Sequence, residues 1–243
     1  MKINNDYIEL LDYKIFSSSF DKAIDEIMSR KKVHVVSGNP EVLYTALSDK
    51  ELFDNFTGNE GFIIPDGVGV QVSAKLQRKP VKEKIAGIEV LKALLSRLEQ
   101  QGKSVYFLGS TDDTINAFAE KVKVHYPKLD IVGYRNGYFD MNNCEDVVEE
   151  IHNKKPYALF VAMGCPRQER FILKVMKESD ISIYMGVGGS FDVIAEKLKR
   201  APEWMINLSL EWLYRVSKEP WRIKRLGSIP KFILKAGLGR NEK

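Results

Sequence analysis

The 243 residues contain only two cysteines and three histidines, and no long apolar run. Cys144 and Cys165 lie in different segments and the histidines are scattered, so nothing has zinc-ligand spacing or the look of a disulfide framework. Reduced thiols in a cytoplasmic protein are the expectation. No stretch reaches the ~18 apolar residues that span a bilayer. The opening residues, Met1 to Tyr7, have no apolar core of the kind a secretory signal carries. Formal nucleotide fingerprints are also missing. No glycine turn is followed by a Walker lysine, and Gly186-Val187-Gly188-Gly189-Ser190-Phe191 breaks the dinucleotide pattern at its last position. A P-loop NTPase and a dehydrogenase are therefore poorly supported. No carboxylate cluster sits on a glycine turn either, and no cofactor is expected.

What is present is a chain with 44% hydrophobic residues, enough for a sizeable core in one large α/β domain with or without an appendage. The net charge of +4 is unevenly spread. Residues 197–243 hold twelve Lys/Arg against four Asp/Glu, whereas the preceding part carries a net −4. Trp204, Trp212 and Trp221 all fall in the basic part. A basic, Trp-bearing end on a mildly acidic body points to an anionic surface or an anionic ligand.

Along the chain, apolar runs alternate with segments of helical spacing. Tyr7 to Phe16 suits a short strand or hairpin, and Phe20 to Met28 has apolar residues at helical intervals. Strands are expected at Val33–Val36, Phe62–Ile64, Ser104–Leu108, Asp130–Tyr134, Tyr157–Met163 and Ile181–Met185. The run from Tyr157 is apolar almost throughout, as in a strand buried on both faces. Helices are expected after Pro40, from Asp66 to about Gln77, and over 88–100, 112–126, 145–153 and 167–177, with a polar surface loop over 79–87. This is an α/β, Rossmann-like pattern with a mainly parallel sheet flanked by helices. Five strands end in turns of small or polar residues, which a parallel sheet gathers on one edge.

One of those turns, Phe62-Ile63-Ile64-Pro65-Asp66-Gly67-Val68-Gly69, puts a carboxylate between a strand and a helix start. Asp66 is there either a helix cap, the commoner role for such an Asp, or a reactive group presented at the sheet edge. The tail is expected to be helical. Trp204, Leu208, Trp212 and Val216 fall four apart, Pro220 suits the first turn of a second helix, and Pro230 marks another break. In a helix, Arg215, Arg222 and Arg225 gather toward one side, an arrangement suited to a diphosphate. Ile229, Phe232, Ile233, Leu234 and Leu238 interleave with Lys231, Lys235 and Arg240, which suits a helix in a membrane interface or one packed on the core.

Taken in order, seven blocks resemble the WecG/TagA/CpsF glycosyltransferases, glycosyltransferase family 26, and most of all the TagA branch. They are Pro65-Asp66-Gly67, Phe107-Leu108-Gly109, Gly137-Tyr138-Phe139, Met163-Gly164-Cys165-Pro166-Arg167-Gln168-Glu169, Gly186 to Asp192, Arg200-Ala201-Pro202-Glu203-Trp204, and Glu211 to Arg215 with Glu219-Pro220, Arg222 and Arg225. The resemblance implies an inverting, metal-independent transfer of N-acetylmannosamine from UDP-ManNAc onto undecaprenyl-diphospho-GlcNAc, a step in teichoic acid linkage-unit synthesis. Transfer of a related sugar to another lipid-linked acceptor is the alternative. Asp66 matches the family's general base, Asn39 and Gln168 its pocket-lining polar residues, and Arg215, Arg222 and Arg225 its acceptor-diphosphate arginines. Gly109, Tyr138, Gly164, Arg167, Gly188, Gly189 and Asp192 are expected at the substrate site. Ser37 stands where the family has threonine, which keeps the hydroxyl. Lys84 stands where it has arginine, which loses a bidentate contact. The implied organisation is a catalytic core over 1–195 and a membrane-docking helical appendage over 196–243, peripheral to the inner membrane face. Two non-enzymatic readings stand beside this one: a nucleotide- or nucleic-acid-binding module with a basic tail, and a homodimer joined through the apolar stripe. The clustered aliphatic residues of the tail favour lipid over nucleic acid.

Overall fold

The computed structural model describes residues 6–79, 81–207, 211–218 and 227–237. Its centre is an eight-stranded sheet built from β1 (Tyr7–Leu10), β2 (Tyr13–Phe16), β3 (Val33–Ser37), β4 (Gly61–Ile64), β5 (Ser104–Gly109), β6 (Asp130–Arg135), β7 (Ala158–Ala162) and β8 (Ile183–Gly186). The order is β1-β2-β4-β3-β8-β7-β5-β6, and every pairing is parallel except β1 with β2. That pair is a two-residue hairpin whose turn residues, Leu11 and Asp12, have φ of 52° and 65°. Left-handed backbone at both positions matches the right-handed twist of the strands.

Alternate side chains along each strand feed two cores, one per face. On one face Val36, Ile63, Leu108, Val161 and Tyr184 pack with α2 (Pro40–Ala46), α3 (Lys50–Thr57), α4 (Val68–Leu76), α7 (Glu145–Lys154) and α8 (Arg167–Glu178). On the other, Val35, Phe62, Phe107, Phe160 and Met185 pack with α1 (Phe20–Ser29), α5 (Gly87–Gln100), α6 (Asp112–His125) and α9 (Ser190–Ile194). All five residues of β7 are buried, as its unbroken apolar run predicts.

The helix α3 lies where no element is expected from periodicity; Asp49 caps it, accepting from the Leu52 N–H at 3.3 Å. Residues 81–86 are without helix or strand, as expected of a loop there, α5 starts already at Gly87, and Ile85 is fully buried, so the segment is tied to the core at that point.

In the tail, α10 (Glu203–Asn207), α11 (Glu211–Lys218) and α12 (Ser228–Gly237) are helical. Pro230 does not break the chain. It sits in the first turn of α12, where backbone N–H groups have no intrahelical partner to lose. α12 returns to the body and packs against α2 and α4, with Phe232 and Ala236 wholly buried in the first core. Phe232 therefore follows the core-packed reading, while Leu234 on the same helix is 63% exposed.

Candidate active site

The connection leaving β3 runs toward β4 on one face of the sheet, and the connection leaving β5 runs outward to β6 on the other. Between them, above the carboxyl ends of β8 and β7, lies the switch point where open α/β sheets form a crevice. A cleft of about 600 Å³ occupies it. Six helices of the body begin at its wall: Pro40, Val68, Gly87, Arg167 and Ser190 open α2, α4, α5, α8 and α9, and Thr111 caps α6. Each start turns the positive end of a helix dipole toward the cleft, which therefore favours an anion.

Asp66 is half-buried in this wall and is not a helix cap. Gly67 takes the cap position of α4, with φ of 85°, and no side chain caps that helix. The Asp66 carboxylate instead turns toward α5. Its Oδ2 accepts from the Ser37 hydroxyl at 2.9 Å and from the Gly87 N–H at 3.4 Å. Among the described residues Oδ1 accepts no hydrogen bond. Asn39 completes a short chain: its Nδ2 donates to Ser37 Oγ at 3.1 Å, while its Oδ1 caps α2 through the Val42 N–H at 3.0 Å. Desolvation raises the Asp66 pKa above the ordinary carboxylate value. The Ser37 hydroxyl, the Gly87 N–H and the charge of Lys84 oppose that rise, and Glu211 of α11 adds to it.

Of the residues anticipated from sequence, Ser37, Asn39, Asp66, Tyr138, Gly164, Arg167, Gln168, Gly188, Gly189 and Asp192 all line this one cleft. Gly109 does not. A side chain there would meet the Ala162 carbonyl oxygen at 2.3 Å, so this glycine serves the close approach of the β5 end to β7. Arg167 lines the cleft, but its Nη2 donates to the carbonyls of Gly137 (2.9 Å) and Phe139, and its guanidinium lies over the Phe139 ring. It clamps the loop that carries Tyr138, whose side chain is 76% exposed. Asp192 accepts from Ser110 Oγ at 3.2 Å, joining the turns after β5 and β8. Gln168 is 4% exposed, and its amide is committed to neighbouring protein groups. Lys84, in doubt from sequence, lines the cleft. So do Glu211 and Val216 of α11 and Ser228 and Ile229 of α12, none of which sequence reading placed at the site. Glu211 opens one of the blocks that carry the family resemblance, which was the available signal. Arg222 and Arg225, and the side chain of Arg215, lie outside the described residues.

Fold and cleft define an α/β protein with an anion-accepting crevice at its switch point and a carboxylate in the crevice wall. Residues 8–242 match the family described as "Glycosyl transferase WecG/TagA/CpsF family". The chain belongs to this family and is a glycosyltransferase. It is 35% identical over 232 residues to the N-acetylglucosaminyldiphosphoundecaprenol N-acetyl-beta-D-mannosaminyltransferase of Bacillus subtilis (strain 168), covering 96% of this chain and 86% of that protein. A protein of the same name from Bacillus spizizenii is 36% identical over 203 residues, covering 84% and 78% of the two chains. One from Staphylococcus aureus (strain MW2) is 32% identical over 207 residues, covering 85% and 80%. Among the described residues, no helix is long and apolar enough to cross a membrane.

Proposed function

We propose that the protein transfers N-acetylmannosamine from UDP-ManNAc to undecaprenyl-diphospho-GlcNAc, with inversion at the anomeric carbon and Asp66 as general base. The acceptor hydroxyl oxygen forms the new bond to the anomeric carbon as the bond from that carbon to the β-phosphate oxygen breaks. UDP leaves with the electron pair, and the hydroxyl proton passes to Asp66. The observation that carries this reading is the Asp66 carboxylate. One oxygen is held by Ser37 and Gly87 while the other accepts nothing among the described residues, in a cleft ringed by helix starts. A carboxylate pKa raised by desolvation makes a stronger base than an exposed one. The names of the relatives support the sugar and the lipid acceptor.

No metal ion takes part in this scheme. The leaving diphosphate is stabilised by the helix starts and by Lys84, and the acceptor diphosphate by Arg215, Arg222 and Arg225. The basic end docks the protein peripherally on an anionic, cytoplasmic membrane face, where the product would enter teichoic acid linkage-unit synthesis. Among the described tail residues, Trp204, 60% exposed, Leu213 and Leu234 are the exposed apolar contacts for that surface. Binding to anionic vesicles that weakens as salt rises supports docking; equal binding to neutral vesicles contradicts it.

The test of the reaction is transfer of labelled sugar to a short-chain lipid-diphospho-GlcNAc acceptor, with UDP-ManNAc and UDP-GlcNAc compared and EDTA added in parallel. The expected result is product from UDP-ManNAc at an EDTA-insensitive rate. Product only from UDP-GlcNAc removes the donor assignment, and loss of activity with EDTA that added metal restores removes the metal-free scheme.

A further inference from the structure

Just behind the cleft lies a carboxyl group that the proposed reaction does not use. Glu169 is 4% exposed and does not line the cleft. Its Oε1 accepts from Gln168 Nε2 at 2.8 Å, and its Oε2 is buried without a hydrogen-bond partner among the described residues. Gln168 in turn presents Oε1 to two backbone N–H groups at 3.1 Å each, those of Gly164 and Gly188. Gly164 belongs to the turn after β7 and Gly188 to the turn after β8, and both line the cleft. One side-chain amide therefore joins the two central turns of the site. Gly186 makes room for it, since a side chain there would come within 2.5 Å of Gln168 Nε2.

We infer that Glu169 is a positioning residue: by accepting from Gln168 it keeps that amide seated between Gly164 and Gly188, and so fixes the turns that receive the sugar-nucleotide donor. The two glycine N–H groups decide which end of the amide faces them, because only its oxygen can accept. They do not decide whether the amide stays. A buried Nε2 without an acceptor is costly, and a change of rotamer toward cleft water would relieve it. Glu169 removes the incentive to move. Burial pushes the Glu169 carboxyl up to about 7, so acid and carboxylate coexist near neutral pH. Oε1 accepts in either form, which is why a glutamine side chain should substitute.

The identity of the ligand rests on the UDP-sugar reading above, so the test needs one readout that does not. Glu169→Leu and Glu169→Gln are made in the full chain. Amide hydrogen exchange is followed over residues 163–165 and 187–189, and UDP binding and donor kinetics are measured alongside. Glu169→Leu should fold, because the loss is that of one hydrogen bond from Gln168, whose amide can turn toward cleft water, and it removes a buried oxygen that has no partner among the described residues. Should it not, Glu169→Met takes its place. The expected result is faster exchange at both turns in the apolar variant, about tenfold weaker UDP binding and donor KM, and kcat within about threefold of wild type. Glu169→Gln should match wild type in each. Unchanged exchange in the apolar variant overturns the proposal, as does a Glu169→Gln protein as impaired as Glu169→Leu. Faster exchange in a protein whose wild type ignores UDP supports the clip and removes the donor reading instead.

Discussion

The role of Asp66 depends on what its two oxygens touch. In the sequence it follows a strand and precedes a helix, where capping is the ordinary role. The positive φ of Gly67 hands the cap position to the glycine and frees the carboxylate to cross to Ser37 and the start of α5. Such partners, 29 and 21 residues away, leave no trace in local spacing, so spacing alone could not show that Asp66 is not the cap. Ser37 donates to the charged form and holds the Asp66 pKa down against desolvation. Ser37→Ala removes that restraint, so the pKa rises further. A general base works only when ionised, so the acid limb of the kcat–pH profile should move to higher pH. Turnover should fall several-fold on the acid limb of the profile and much less on its plateau. A limb that stays in place or moves to lower pH would show that Ser37 does not act on the base.

Most elements were legible as elements because their periodicities are strong: the β7 run and the helices α5, α6 and α8 all fall within a few residues of where spacing puts them. α3 was missed because its apolar positions, Leu52, Phe53 and Phe56, make barely one helical repeat and the cap at Asp49 decides the matter. The tail was ambiguous for a different reason. An apolar residue among lysines looks the same whether it faces lipid or protein, and tertiary packing chose protein for Phe232 and left Leu234 outside. α12 is thus a core element as well as part of the cleft rim, through Ser228 and Ile229. Phe232→Ala should lower unfolding free energy by about 3–5 kcal/mol, and Leu234→Ser should stay within about 0.5 kcal/mol of wild type, both from denaturant unfolding curves. Equal effects of the two would mean that α12 is not seated between α2 and α4.

Across the whole molecule, the strand order was not readable from sequence, although the gathering of the strand-end turns on one edge was. Among the described residues, that edge carries every anticipated site residue but one into one cleft, and the tail helices α11 and α12 add to its lining. Gly109 is the exception, since a glycine needed for strand-to-strand approach looks like one needed for ligand approach. In the proposed reaction the body supplies the base and the donor turns and the tail supplies the acceptor arginines, so donor binding and sugar transfer should be separable. Asp66→Asn separates them most directly. Asparagine can still accept from Ser37 and Gly87, and it removes a charge whose desolvation is unfavourable, so stability should not fall. In the lipid-acceptor assay with UDP-ManNAc, this variant should bind UDP as wild type does and lose about 10²–10⁴-fold in kcat. Near-normal turnover with UDP affinity intact would contradict the assignment of Asp66 as the base.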